Sequence, residues 1–272
     1  MKCCGAAGWA GGPAAGVRDG MGVQDLGGYS LVAYGGNAED VVLMRAFADR
    51  PGGFFVDVGA GEPVSGSLTK NLVDRLGWRG VNIEPLPERY ERLTASRPDD
   101  VTVAVAIGER AGTETFFRVV PGPGKVGGGG LSTLDRDVLD MHVAAGWGYE
   151  ELRVETVRLE TVLHEHAEPG FDLLKVDVEG SEREVLASAD LGTWRPRVIV
   201  VEATVPLTSQ PSHREWEPGV LAAGYELALF DGLNRFYARA DEPELRERLS
   251  VPANVLDHYI PYACAVRAGL PV

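Results

Sequence analysis

"GFFVDVGAGE", residues 53–62, is an apolar run that stops in a glycine turn. Aromatic and β-branched residues favour a buried extended strand. Gly59 and Gly61 then let the chain reverse and let backbone come close to a ligand. The next stretch, "SGSLTKNLVDRLG" (65–77), reads as a helix, with Ser65 or Ser67 as its cap and Gly77 as its stop. Strand, glycine turn and helix make the first half of a βαβ unit.

The same rhythm repeats along the chain. "RGVNIEP" (79–85) is a second strand, followed by the helix "LPERYERLTASRP" (86–98). "DVTVAVAIG" (100–108) is a third strand, "FDLLKVDVEG" (171–180) a fourth and "RPRVIVVEA" (195–203) a fifth. "YELALFDGLNRFYARA" (225–240) reads as a hairpin turning at Asp231 and Gly232. Alternating strands and helices imply a doubly wound α/β sheet, and the hairpin adds an antiparallel edge strand. One domain is expected over 28–272, after a flexible leader over 1–27, with Met21 as an alternative start. Residues 119–152 interrupt the rhythm. With the glycines 127–130 they are expected to form an insertion or lid.

Bulk composition narrows the partners. The formal net charge is −14 and the sequence pI about 4.8, which speaks against nucleic acid and anionic membrane surfaces. A neutral or cationic small molecule is compatible with that charge. Cys3, Cys4 and Cys264 have no metal-type spacing, and the expected location is a reducing cytoplasm. Oligomeric state is open, a homodimer included.

In a doubly wound sheet ligands bind beyond the carboxyl ends of the strands. The first strand ends in Asp57-Val-Gly59-Ala-Gly61-Glu62 and lacks the third glycine of a dinucleotide fingerprint, Val64 standing there. The second ends in Glu84, about 20 residues past the turn, where a carboxylate accepts from both hydroxyls of a ribose. Ala106 and Ile107 end the third and suit the flanks of an adenine ring. Asp177, with Glu179 just beyond, ends the fourth, and Glu202 ends the fifth. Helix capping is the alternative use for Asp177 and Glu179, while Glu182 and Glu184 read as a solvated face. Asn37 reads as the cap of the helix after "YGGNAED" (34–40).

In order and spacing, these segments resemble the FkbM family of S-adenosylmethionine-dependent methyltransferases, in its branch associated with glycosyltransferases. The carriers are "YGGNAEDVVLMRAF", the run from Phe54 to Pro85, "GLSTLD", "LLKVDVEGSEREVL", "WRPRVIVVEAT", "EWEP", "FDGLNRFYA" and "PANVLDHYI". The resemblance implies a class I methyltransferase (Rossmann-like) fold, with seven strands in the order 3-2-1-4-5-7-6 and the seventh antiparallel. It implies a cofactor pocket lined by Asp57, Gly59, Gly61 and Glu62, with Glu84 on the ribose. It implies O-methylation of a hydroxyl on a sugar or a secondary metabolite.

On that reading Asp177 and Glu202 are the catalytic candidates, as proton acceptor or as ligands of Mg²⁺. Asp231 and Asn234 complete the candidate metal set. Ser132, Thr133 and Glu179 are candidate substrate contacts. Arg outnumbers Lys several-fold, as in GC-rich genomes, which points to a glycosylated natural product as acceptor. Two other classes compete: a non-catalytic nucleoside-binding protein, and an NAD-linked oxidoreductase that Val64 disfavours.

Overall fold

The computed structural model describes residues 26–272. Residues 1–25 of the expected leader, with the start at Met21, lie outside the described residues; its last two, Leu26 and Gly27, are described, and Leu26 is buried against Val32 and Ile260 rather than flexible. From its first strand the chain runs β1 (Leu31–Ala33), α1 (Glu39–Ala46), β2 (Phe54–Val58), α2 (Lys70–Leu76), β3 (Arg79–Ile83), α3 (Pro87–Ser96) and β4 (Val101–Val103). Next come β5 (Ala106–Ile107), β6 (Gly112–Val120), α4 (Arg136–Ala144), β7 (Gly148–Val157) and α5 (Leu159–His166). They are followed by β8 (Leu173–Val176), α6 (Glu182–Ala187), α7 (Leu191–Trp194), β9 (Val198–Glu202) and α8 (Glu217–Ala222). β10 (Tyr225–Phe230), β11 (Asn234–Arg239), α9 (Pro243–Leu249), β12 (Tyr259–Pro261) and α10 (Tyr262–Arg267) complete it.

The central sheet has seven strands in the order β10-β11-β9-β8-β2-β3-β4. β2 pairs in parallel with β3 and β8, and β8 with β9, while β11 is antiparallel to both its neighbours. The antiparallel strand is therefore not at the edge, as the hairpin reading has it, but one place inside it, where the order 3-2-1-4-5-7-6 puts the seventh strand. The hairpin folds its second strand onto β9 and leaves its first at the rim. The chain winds from β2 outward through β3 and β4, then returns to β8 on the other side of β2. That reversal places the switch point between β2 and β8.

Alternation along the strands separates two cores. Val56, Val58, Leu174, Val176, Ile199 and Val201 join residues of α5, α6, α7 and α8 on one face. Phe55, Leu173, Val198, Val200 and Phe236 join α1, α2 and α9 on the other. Each such fully buried Leu or Val contributes about 1.5–3 kcal/mol. α9, whose sequence looks like a charged surface helix, buries Leu245 and Leu249 against the second core.

Three local expectations are corrected. "DVTVAVAIG" is not one strand: Val101–Val103 pairs with β3, whereas Ala106–Ile107 crosses to a second sheet of order β5-β7-β6. α2 is preceded by Thr69, not by Ser65 or Ser67, and Gly77 ends it in the left-handed conformation. Asn37 is not the cap of α1; Ala38 holds that place at φ 60°. β1 and β12 form a small parallel pair that ties the two ends of the described chain together.

Candidate functional site

A cavity of about 330 Å³ opens at the carboxyl ends of β2, β3, β8 and β9. Its size is that of a small-molecule site. Gly59, Gly61, Glu62, Glu84, Ala106, Ile107, Ser132, Asp177, Glu179, Glu202 and Asn234, all anticipated from the sequence, line it. Asp57, Thr133 and Asp231 do not.

The turn after β2 is set by contact with the neighbouring strand. A Cβ on Gly59 would stand 1.9 Å from the carbonyl oxygen of Asp177, and the residue has φ 77°. Gly61 donates its backbone N–H to Glu84 Oε2 at 2.9 Å, and Leu86 donates to Oε1 at 2.9 Å. Glu84 is only 3% exposed. Burial raises its pKa, and Arg89 beside it opposes the rise. Each carboxylate oxygen accepts one backbone bond and keeps a further lone pair toward the cavity. Arg89 lies 3.6 Å from Glu62 and 3.9 Å from Glu84. Glu62 is drawn outward by Arg92 at 2.9 Å, so it borders the cavity with its charge already partnered. Leu86, Ala106 and Phe116 supply an apolar wall.

Asp57 sits beneath this turn rather than in the cavity wall. Lys175, its direct partner in the parallel register, places Nζ 3.1 Å from Asp57 Oδ1 and 3.5 Å from Asp177 Oδ2. Nζ also donates to the Gly59 carbonyl at 2.6 Å. Burial alone would lower the lysine's pKa, but Asp57 and Asp177 outweigh it and hold the ammonium charged. The Asp57 contact is an ion pair without hydrogen-bond alignment, since Oδ1 receives no well-directed donor. Neither Lys175 nor Arg89 was legible as a site residue. Both approach the glycine turn from other elements, and only the register of β2 with β8 reveals the lysine.

Asp177, Glu179 and Glu202 converge, each offering an oxygen within 4.8 Å of the others. The Asp177 side chain is 41% exposed. Glu202 is buried, and its Oε2 has no hydrogen-bond partner. Burial, then the charge of Asp177, raises the pKa of both Glu179 and Glu202 far above the carboxylate range. Glu179 adopts φ 57°, a conformation its side chain pays for with strain.

Glu182 is not a solvated acid. It is 4% exposed, and its Oε1 accepts from the N–H groups of Val178 and Gly180, bracing the turn that carries Glu179. Burial lifts its pKa to about 7 despite these bonds. Glu184 stays at the surface with Arg183. In the insertion, Thr133 is a clamp and not a cavity residue. Its hydroxyl donates to the Glu179 carbonyl at 2.7 Å and accepts from Asp135 N–H. Ser132 borders the cavity, but its hydroxyl is held by Val119 N–H and the Gly129 carbonyl.

Asp231 folds its carboxylate onto the N–H groups of Leu233 and Asn234, so it shapes its own turn. Asn234 faces the cavity while its amide donates to Glu39 Oε1 at 2.8 Å. The opening segment and the hairpin turn thus meet across the sequence, and Asn37 adds a bond to the Asp231 carbonyl. Glu39 lines the cavity, and burial first, then Asp231 and Asp40, lifts its pKa to about 7.

A pH effect follows from that shift. Between about pH 4.5 and about pH 7 the folded chain holds a proton on Glu39 that the unfolded chain has released. This contribution to stability is complete below the unfolded pKa and lost as pH rises through the folded one. Glu39→Gln is expected to make the fall in melting temperature between about pH 5 and about pH 8 shallower. Thermal melts of both proteins across that range check it; parallel curves would contradict it.

A doubly wound sheet with a glycine turn at its switch point and a paired-acceptor acid at the end of the next strand is an arrangement that nucleoside-cofactor-binding α/β proteins use. Over half of the chain, residues 57–227, matches the methyltransferase FkbM domain family. The chain belongs to that family, whose chemistry is methyl transfer dependent on S-adenosylmethionine. None of the curated proteins matches it. Among solved structures, a TehB-like SAM-dependent methyltransferase from Corynebacterium glutamicum aligns with 74% of this chain and 87% of its own, at 12% identity and a TM-score of 0.37. Among the described residues no helix is long and apolar enough to cross a membrane.

Proposed function

We propose that the chain methylates a hydroxyl of a sugar or of a glycosylated secondary metabolite. The observation that carries this is that one cavity is lined by two sets of residues: Glu84 with the Gly59–Gly61 turn, the cofactor end of this proposal, and Asp177, Glu179 and Glu202, its acceptor end.

The first end fits S-adenosylmethionine. Glu84 keeps an acceptor lone pair on each oxygen for the two ribose hydroxyls. Leu86, Ala106, Ile107 and Phe116 offer an apolar seat for the adenine. Gly59 presents only backbone to the cavity. The cofactor, when bound, supplies a methyl group on a cationic sulfonium, and the acidic cavity favours that charge.

The second end suits a hydroxylated acceptor. An alcohol becomes a competent nucleophile as its proton is shared with a base. Asp177 has a side chain 41% exposed and is oriented by Lys175, so it is assigned the hydroxyl proton. Glu202 and Glu179 border the place where neighbouring hydroxyls of the acceptor would lie. Positioning supplies much of the remaining rate, with the Ser132 loop of the insertion bordering the cavity.

Glu84→Gln tests the cofactor end. The amide loses the charge and brings an N–H₂ against backbone donors. S-adenosylmethionine is expected to bind about 100-fold more weakly, the loss of about 3 kcal/mol of charge-assisted hydrogen bonding. Titration calorimetry on variants with wild-type circular dichroism reads this directly. Equal affinities would remove Glu84 from the cofactor site.

A further inference from the structure

Three carboxyl groups that lie this close can all be ionised only beside a counter-charge. Lys175 serves only Asp177, at 3.5 Å, and is already held by Asp57 and the Gly59 carbonyl. Among the described residues neither Glu179 nor Glu202 forms an ion pair with a cationic side chain. Glu202 is 9% exposed, lines the cavity, and leaves Oε2 without any partner. A buried carboxylate oxygen with no donor costs several kcal/mol unless it is protonated or a cation answers it.

We propose that Asp177, Glu179 and Glu202 form a binding site for one divalent cation of the Mg²⁺ or Mn²⁺ type. Their ligand oxygens all lie within 4.8 Å of one another. In the shell of a hard divalent cation, with bonds of about 2.1–2.5 Å, ligand oxygens stand about 3–5 Å apart. The set is all oxygen, without Cys or His, which selects Mg²⁺ or Mn²⁺ over Zn²⁺. It differs from the set expected from the sequence. Asp231 is spent on its own turn and the Asn234 amide on Glu39, and Glu179 takes their place. The left-handed backbone of Glu179, braced by Glu182 and clamped by Thr133, brings its side chain to the other two acids. The cation's role, holding adjacent hydroxyls of the acceptor, rests on the methyl-transfer reading. Its ligands do not.

The full chain, freed of metal by chelation and dialysis, is titrated with MnCl₂ alone and followed by electron paramagnetic resonance. The expected result is one saturable Mn²⁺ per chain, displaced by Mg²⁺. Glu202→Gln and Glu179→Gln are each expected to weaken binding on the order of 10-fold or more, and Glu184→Gln, on the surface, to leave it unchanged. Melting temperatures of the variants show that they fold, and the two substitutions back each other up should one fail to. No saturable binding up to about 10 mM, or wild-type affinity in Glu202→Gln, overturns the site. Calorimetry with S-adenosylmethionine on the same protein separates the two readings. Cofactor binding without Mn²⁺ binding sinks the metal site alone, and the loss of cofactor binding sinks the methyl-transfer reading.

Discussion

Gly59→Ala is expected to destabilise the chain by about 4 kcal/mol or more and to abolish cofactor binding. The added Cβ would sit 1.9 Å from the Asp177 carbonyl oxygen. That oxygen is backbone at the end of β8, and β8 is paired with β2. Relief therefore requires two central strands to part, with the loss of Asp177 N–H to Val58 O at 3.1 Å. Gly66→Ala is the matched control. It also has positive φ, at 85°, but its added methyl meets nothing within 4 Å. It should cost only the left-handed penalty of about 1–2 kcal/mol. Denaturant titrations of the two variants separate the clash from the backbone preference, and equal losses would refute the clash.

Lys175→Met should cost about 3–5 kcal/mol. The methionine keeps much of the stem's packing but leaves Asp57, with a side chain 2% exposed, as an uncompensated buried charge. The nearest remaining donor to Asp57 is the Thr69 hydroxyl at 3.5 Å. Asp57→Asn in the Lys175→Met background should recover part of the loss, so the double variant falls short of the summed singles. Strict additivity in denaturant melts would show that the two groups do not act as a pair. The same lysine orients Asp177, so variants that remain folded should also lose turnover more than cofactor affinity.

The strands of the central sheet were legible because each is an apolar run with a polar or glycine stop. The acids at their ends were legible for the same reason: Glu84, Asp177 and Glu202 each stand where an apolar run breaks. What burial would do to acids inside a helix was not legible. Glu182 looks like a surface residue by spacing, yet its carboxylate turns back onto Val178 and Gly180. Nor was the split of "DVTVAVAIG" between two sheets, because a bend at residues 104–105 leaves the apolar pattern intact. Pairs remote in sequence were the hardest. Asn234 with Glu39, and Lys175 with Asp57, exist only through the register of strands and the docking of the opening segment. Asp231 and Thr133 read, from the sequence, as polar residues in the right places. The structure shows both committed to backbone bonds nearby.

The most direct test of the cavity as a methyl-transfer site is a crystal structure grown with S-adenosylhomocysteine. The expected result is both ribose hydroxyls on the Glu84 carboxylate, the adenine against Ala106 and Ile107, and the sulfur directed toward Asp177 and Glu202. A ribose held elsewhere, or a sulfur facing away from those two acids, would contradict it.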